Sequence, residues 1–256
     1  MVVANAAPPI VTLSSDFGAG SPYVAIMKAV LLSVCPSVLL VDVNHDLESF
    51  RPEAGAFPLW AASAAFGPGS IHLAVVDPGV GSARRAVAFQ TGERWYVGPD
   101  NGLFGLILAE SDRLAQPVDA AFNLPLPEAA APTFHGRDVF APAAALLARD
   151  GVPDPRWPEL APADLIRSDL VPARVLFVDS FGNLITSIRP PALGLMISGT
   201  LITSSHRSYH EAEPGRPFFY LGSMGLIEVG VREGRADQVL GAGLGSSVQA
   251  LGADKN

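Results

Sequence analysis

The chain has 256 residues, of which 49% are hydrophobic, and it carries 17 Lys and Arg residues against 25 Asp and Glu residues, for a formal net charge of −8. This length allows one large core or two smaller ones, so a two-domain protein is expected. The scattered cations argue against nucleic acid as a partner, because binding to a phosphate backbone requires clustered positive charge.

The N-terminal residues do not resemble a targeting segment. Residues 1–9 lack the charged start and the long apolar core of a signal peptide, and Lys28 and Pro36 interrupt the apolar stretch 24–43. With Cys35 as its single cysteine, the chain cannot form an internal disulfide. We therefore expect a cytoplasmic protein that does not enter the membrane.

Strand and helix signals alternate over the first two thirds of the chain. Short apolar runs predict strands at residues 10–13, 38–43, 71–76, 86–90 and 95–97. Amphipathic or alanine-rich stretches predict helices at residues 22–35, 52–66 and 138–149. Ser21 is expected to cap the first helix, with Pro22 at its first position.

The pattern changes in the last third. Five prolines between 151 and 173 predict a linker. Beyond it, short apolar runs predict strands at residues 175–178, 184–188, 201–203, 218–221 and 226–229. The predicted fold is an α/β N-terminal catalytic domain, residues 1–166, followed by a smaller all-β C-terminal domain, residues 174–256.

Polar residues recur where the predicted strands end. They are Asp16, His45, Asp77, Asp100 and His135. Open α/β sheets bind ligands at this edge, although any one of these residues is equally typical of a turn or a helix cap. The segment from Val75 to Arg84 is the most informative, because its Pro-Gly turn aims Asp77 and Arg84 away from the strand end. The alternative for this segment alone is a tight loop closed by an ion pair.

Seven short strings occur in a characteristic order. They are Ser-Asp-Phe-Gly at 15–18, Tyr-Val with Met-Lys at 23–28, Asp-Val-Asn-His at 42–45, the Val-Val-Asp-Pro-Gly turn with its two arginines at 75–85, Gly-Pro-Asp-Asn-Gly at 98–102, Phe-His-Gly-Arg-Asp at 134–138 and Phe-Gly-Asn at 181–183. In this order they resemble the S-adenosyl-L-methionine hydroxide adenosyltransferase family, whose relatives include fluorinases and chlorinases. The resemblance extends from about residue 10 to about residue 245.

This resemblance implies a reaction and a set of roles. Water or hydroxide attacks the ribose C5′ of S-adenosylmethionine, which is a substrate rather than a cofactor, and gives adenosine and L-methionine. The catalytic residues would be Asp77, Arg84 and His135. The substrate-binding residues would be Asp16 at the ribose, Phe50 beside the sugar, Phe181 and Asn183 at the adenine, and a second C-terminal stretch that begins at Ser223.

The resemblance also implies a homotrimer, with each site shared between the N-terminal domain of one subunit and the C-terminal domain of its neighbour. The chain departs from the family at Ser21, where an acid is usual, and at Gly222, where Asn is usual. Both departures concern the methionine half of the substrate.

Three alternatives remain open. Halide could replace water as the nucleophile, although fluorinases have hydroxyl residues and an aromatic residue at the places of Asp77, Val80 and Gly136 here, and a carboxylate repels a halide. A metal for phosphoester hydrolysis could be held by Asp16, Asp42, Asp77, His45 and His135. These residues lack a recognisable ligand spacing, so we expect no metal. The protein could also bind an adenosyl ligand without turnover.

Overall fold

The computed structural model describes residues 7–167 and 172–252. It divides the chain into two compact units, Met1–Ser168 and Asp169–Asn256. In the described part of the chain, no helix is long and apolar enough to cross a membrane.

Six strands form the sheet of the N-terminal unit, in the order β2-β1-β3-β5-β4-β6. They are β1 (Ile10–Ser15), β2 (Leu39–Asn44), β3 (Ile71–Val75), β4 (Ala86–Thr91), β5 (Arg94–Pro99) and β6 (Val118–Asn123). The first four in the spatial order are parallel, whereas β4 is antiparallel to both of its neighbours. The chain goes from β1 to β2 on one side and to β3 on the other. The carboxyl ends of β1 and β3 therefore flank a topological switch point, where open sheets bind ligands.

Four helices cover both faces of this sheet. They are α1 (Pro22–Val34), α2 (Pro52–Ser63), α3 (Gly105–Arg113) and α4 (Ala141–Asp150). α1 and α4 pack on the face that carries Val11 and Leu13, while α2 and α3 pack on the face that carries Ala74 and Val76. All residues of β3 are buried, as expected for a strand covered on both sides.

The predicted start of α1 is confirmed. Ser21 has an extended backbone, its side chain accepts a hydrogen bond from the Tyr23 N–H, and Pro22 is the first helical residue. The sequence patterns did not predict α3 or β6. α3 begins at Gly105, and the preceding Phe104 provides no side-chain cap. β6 is a strand at the sheet edge with weak alternation. Neither element therefore carries the usual local signal.

The proline-rich stretch differs from its prediction, because residues 151–167 are not a free linker. Trp157 and Leu165 are buried in the two cores of the N-terminal unit. The Pro158 carbonyl accepts a hydrogen bond from the Asn123 N–H at 2.9 Å. We call residues 151–167 the strap. Its prolines mark a segment held by carbonyl acceptors and buried side chains, and this packing has no sequence periodicity.

The C-terminal unit consists of two antiparallel sheets, β10-β9-β13 and β11-β12-β8-β7. Their strands are β7 (Val175–Val178), β8 (Leu184–Thr186), β9 (Gly194–Ile197), β10 (Thr200–Ile202), β11 (Pro217–Leu221), β12 (Ile227–Val231) and β13 (Val248–Leu251). One apolar core includes residues of both sheets, among them Leu184, Leu195 and Val229. The prediction of an α/β domain followed by a β domain is confirmed, with one short helix, α5 (Ala236–Leu240), added to the latter.

Candidate active site

A cavity of about 290 Å³ lies in the N-terminal unit at the switch point between β1 and β3. It is lined by residues of the loops after β1, β2 and β3, by the segment before α4, and by the ends of α1 and β3, which are Asp16, Phe17, Tyr23, Ser49, Phe50, Val75, Asp77, Val80, Thr133, Phe134, His135 and Gly136. Four of the predicted site residues are therefore in its wall. This volume is at the lower end of the roughly 300–1,000 Å³ typical of small-molecule sites.

Three of the predicted residues form a continuous hydrogen-bonded set. The Arg84 guanidinium donates from Nε to Asp77 Oδ1 at 2.9 Å and from Nη2 to Asp77 Oδ2. Arg84 Nη2 also lies 2.9 Å from His135 Nδ1. The side chains of Asp77 and Arg84 are 5% and 10% exposed. Charged groups interact more strongly in such a water-poor setting than in bulk solvent.

The turn that joins β3 to β4 creates this arrangement. Gly81 has a φ of +77°, and a Cβ there would be 2.6 Å from the Pro132 carbonyl oxygen. Only glycine fits this close approach of the turn to the segment before His135. Asn101 holds the start of the turn, because its side-chain amide donates to the Val76 carbonyl at 2.9 Å. Asn101 had no predicted role.

The tautomer of His135 follows from its partner. A guanidinium has donors and no acceptor, so Nδ1 accepts from Arg84 and the neutral ring carries its hydrogen on Nε2. Burial lowers the pKa of His135, the Arg84 cation lowers it further, and the Asp77 and Asp138 carboxylates oppose both effects without cancelling them. His135 is therefore a neutral hydrogen-bond donor through Nε2 near pH 7.

The backbone after His135 departs from the predicted regular helix. Residues Gly136–Phe140 form a π-helical turn that leads into α4, and such turns are frequent at functional sites. Asp138 accepts a hydrogen bond from the Ala131 N–H at 2.8 Å and thereby closes the loop that carries His135. The Phe140 ring lies 5.1 Å below the Arg84 guanidinium, which adds a cation–π contact.

Asp16 and Phe50 meet across the cavity mouth. The Phe50 N–H donates to Asp16 Oδ2 at 3.2 Å, and Phe50 has a φ of +64° with a side chain that is 75% exposed. This conformation is unfavourable for a residue with a Cβ, and it places an aromatic ring beside the opening. Burial raises the pKa of the Asp16 carboxyl, as does the charge of Asp77, and the hydrogen bond from Phe50 only partly offsets the rise.

An aromatic wall completes the cavity and was missed by sequence reasoning. Phe17, Tyr23 and Phe134 form three edge-to-face pairs, with ring centroids 5.1–6.0 Å apart. All three occur in the motif strings, but spacing alone does not indicate that they meet. Aromatic edges and faces of this kind suit a flat ligand or a sugar ring.

The predicted residues of the C-terminal unit lie in two turns of that unit. Phe181 is 76% exposed, between β7 and β8. Asn183 is buried, and its amide donates to Asp179 Oδ2 at 2.7 Å. Ser223 is exposed in the turn between β11 and β12. The role of these residues at an adenine stays a prediction.

The two departures from the family pattern have local explanations. The Ser21 side chain is engaged as the cap of α1. At Gly222, a Cβ would be 1.9 Å from Glu228 Oε1, so the Glu228 carboxylate occupies the space of a side chain at position 222. Among the described residues, no group of three or more His, Cys, Asp or Glu could hold a metal ion.

Comparison with known proteins extends the resemblance to the whole fold. The model of the SAM hydroxide adenosyltransferase N-terminal domain matches residues 11–155, and that of the C-terminal domain matches residues 173–249. A Thermus thermophilus protein named (R)-S-adenosyl-L-methionine hydrolase is 43% identical over 254 residues, which cover 93% of this chain and 97% of that protein. A fluorinase of Nocardia brasiliensis is a more distant relative, 25% identical over 81% of this chain and 75% of its own length.

The solved structures agree with these matches. The crystal structure of a conserved hypothetical protein from Thermus thermophilus superposes with a TM-score of 0.81 at 41% identity, and it covers 95% of this chain and 100% of its own. Family models thus match most of both units, and a relative with more than 40% identity spans nearly the whole chain. The chain belongs to the SAM hydroxide adenosyltransferase family.

Proposed function

We propose that this protein hydrolyses S-adenosylmethionine to adenosine and L-methionine. The hydrogen-bonded set of Asp77, Arg84 and His135 at the switch point carries the proposal, and the name of the Thermus relative supports it. In the reaction, a water oxygen forms a bond to the ribose C5′. The C5′–S bond breaks, the sulfur keeps its electron pair, and the water proton leaves to a base and then to solvent.

The roles of the three residues follow from their hydrogen bonds. Arg84 stays cationic and donates hydrogen bonds, so it stabilises negative charge as the water oxygen develops hydroxide character. His135 already accepts from Arg84 at Nδ1, so its Nε2–H orients that oxygen. Asp77 is then the member of the set with a free lone pair to accept the proton. General acid–base assistance of this kind contributes about 10²–10⁴ in rate.

The substrate is held by the surrounding groups in this proposal. Asp16 accepts hydrogen bonds from the ribose hydroxyls, and Phe50 covers the sugar. Phe181, Asn183 and Ser223 contribute to adenine binding. A fixed water opposite the sulfonium would supply much of the rate, since ideal positioning is worth about 7–11 kcal/mol.

Halide transfer is disfavoured by the charge in the site. The side chain of Asp77 is 5% exposed, and the Arg84 guanidinium that could attract a halide is already hydrogen-bonded to this carboxylate. A halide at this place would therefore meet a carboxylate at low effective dielectric. We expect fluoride and chloride to give no 5′-halogenated adenosine.

The test uses S-adenosylmethionine in water labelled with heavy oxygen, with and without halide, followed by mass analysis. Label at the 5′ oxygen of adenosine supports the proposal, and a 5′-halogenated major product would overturn it.

The same assay in the presence of EDTA tests the alternative of a metal-dependent hydrolase. Loss of turnover that one divalent ion restores would reject a mechanism based on Asp77, Arg84 and His135. Absence of any product would leave the binding-module alternative.

We also propose that the protein works in the cytoplasm as a homotrimer whose sites are shared between subunits. An inactive Asp77→Asn chain mixed equally with an inactive Asn183→Ala chain tests the sharing. Random assembly then combines two intact halves at about one quarter of the sites, with recovery of activity in proportion. If mixed trimers form and remain inactive, each site is built within one subunit.

A further inference from the structure

A second chain of polar side chains runs behind the cavity wall. Lys28 of α1 donates to Asp42 Oδ2 of β2 at 2.5 Å. Asp42 Oδ1 lies 3.0 Å from His45 Nε2, and His45 Nδ1 lies 2.8 Å from Ser15 Oγ at the end of β1. These four residues belong to the motif strings, but the proposed function assigns none of them a role. We call this set the buttress.

The buttress resembles a Ser-His-Asp triad but cannot act as one. Ser15 has no exposed surface, so its hydroxyl cannot reach a substrate. Ser15 Oγ instead accepts a long hydrogen bond from the Phe17 N–H, at 3.4 Å. The set therefore ends on the backbone that flanks Asp16.

Asp42, at the solvent-exposed end of the buttress, sets the direction of the hydrogen bonds along it. A carboxylate only accepts, so Asp42 accepts from His45 Nε2, and in the tautomer with its hydrogen on Nε2 the Nδ1 atom accepts from the Ser15 hydroxyl. Partial burial acts to raise the pKa of Asp42, but hydrogen bonds from Lys28 and His45 outweigh it and keep the pKa below its usual value. The ionised state of Asp42, in which its carboxylate accepts these hydrogen bonds, is thus favoured.

The segment after His45 also braces the loop that carries Asp16. The His45 carbonyl accepts from the Gly18 N–H at 2.7 Å, and the Asp46 carboxylate accepts from the Ala19 N–H at 2.9 Å. Farther along the same segment, the Phe50 N–H donates to Asp16 itself. A shift of His45 would therefore be transmitted to both flanks of Asp16.

We propose that His45 is a positioning residue that orients the Asp16 carboxylate for the ribose hydroxyls. This inference rests on the proposed function, which assigns Asp16 to the ribose. His45 touches no substrate in this proposal. It acts through Ser15 and through the loop contacts, and it is 6% exposed.

The test measures discrimination between adenosine and 2′,3′-dideoxyadenosine by calorimetric binding to the full chain. His45→Gln retains an amide that can reach Asp42 but loses the contact with Ser15. We expect adenosine to bind about tenfold more weakly in this variant, because a misaligned carboxylate loses part of a charged hydrogen bond, with no change for dideoxyadenosine.

His72→Gln is the matched control. His72 is also buried in the same sheet and hydrogen-bonded to hydroxyls, with Nδ1 2.8 Å from Thr12 Oγ1 and Nε2 3.0 Å from Ser70 Oγ. It is absent from the cavity lining. We expect His72→Gln to leave the ratio of the two affinities unchanged even if it lowers stability. Ser15→Ala, which breaks the same link with a smaller change, should reproduce the effect of His45→Gln.

Asp16→Asn separates the two ways to fail. If Asp16→Asn abolishes the discrimination and the His45 and Ser15 variants keep it, the positioning role is wrong and the ribose assignment stands. If Asp16→Asn keeps the discrimination, the ribose assignment is wrong and the inference fails with it. Equal weakening of both ligands in His45→Gln would indicate a purely structural histidine and would also overturn the proposal.

Discussion

Two adjacent arginines of this chain pair with two buried aspartates, and the two ion pairs contact different groups. Arg84 pairs with Asp77 after β3, and Arg85 pairs with Asp100 after β5, where its Nη2 lies 2.6 Å from Asp100 Oδ2. Both carboxylates are at most 5% exposed. By residue type, charge and burial of the acid, the two pairs are nearly equivalent.

The groups beyond each pair make the difference. Arg84 continues to His135 and the cavity. Arg85 continues to the strap, since it also donates to the Asp164 carbonyl, and Asp100 Oδ1 accepts from the Ile166 N–H at 2.8 Å. The first pair therefore borders the candidate site, whereas the second pair holds the backbone of the strap. The ion pair alone does not distinguish the two arginines, but the groups beyond each pair do.

The largest expected effect is a difference in turnover between variants of Arg84 and variants of Arg85. Arg84→Met should lower turnover of S-adenosylmethionine by about 10²–10³, the usual cost of removing one donor to a developing anion. Methionine keeps contact with the Phe140 ring, so packing is largely preserved. Arg85→Met is the matched control and should remain within about threefold of the unmodified rate. Steady-state kinetics below the melting temperature of both variants measures this. An equal loss in the two variants would contradict the division of roles.

The second prediction concerns stability instead of turnover, and it tests whether Arg85 holds the strap. Arg85→Met leaves the Asp100 carboxylate with less compensation, and we expect the free energy of unfolding to fall by about 2 kcal/mol, below the 3–5 kcal/mol of a fully buried pair because Arg85 is 37% exposed. The Ile166 amide should exchange faster with solvent as the strap loosens. Hydrogen exchange followed by mass spectrometry measures this.

The double variant Asp100→Asn/Arg85→Met controls for charge. Its neutral amide can still accept from Ile166 while the unpaired carboxylate is gone, so part of the lost stability should return. Slow exchange at Ile166 in the single variant would show that the strap does not depend on Arg85.

The sequence was sufficient for the fold where local signals were strong. The strand β3, which is apolar except for His72, and the Ser-Pro start of α1 were predicted close to their observed bounds. α3 was missed because it has no capping side chain, and the strap was misinterpreted because its prolines lie beside buried Trp157 and Leu165. Burial of these two side chains is a property of the tertiary fold that no local pattern encodes.

The strand-end pattern in the sequence could not separate catalytic from structural residues. The family resemblance assigned Asp77, Arg84 and His135 as the catalytic set, and the structure places them in one hydrogen-bonded set, while their catalytic role stays a prediction. The strand-end pattern also selected Asp100, which fixes the strap. Asn101 and the aromatic wall required three-dimensional contacts between segments far apart in the sequence.

The smallest expected effect concerns the pKa of His135, and it tests whether Arg84 alone of the two arginines reaches the imidazole. Only the neutral ring can accept from Arg84 at Nδ1. Because burial and the Arg84 cation lower the pKa of His135, protonation on acidification should occur below the ordinary value of about 6.5. The acidic limb of kcat/KM, which reports groups of the free enzyme, should therefore have its midpoint below that value.

In Arg84→Met the cation is gone while the Asp77 and Asp138 carboxylates remain, so the pKa of His135 should rise. In Arg85→Met it should stay where it is, since Arg85 is not among the charges that perturb it. NMR titration of the His135 ring measures all three proteins, and an unchanged pKa in Arg84→Met would exclude the contact between Arg84 and His135 in solution.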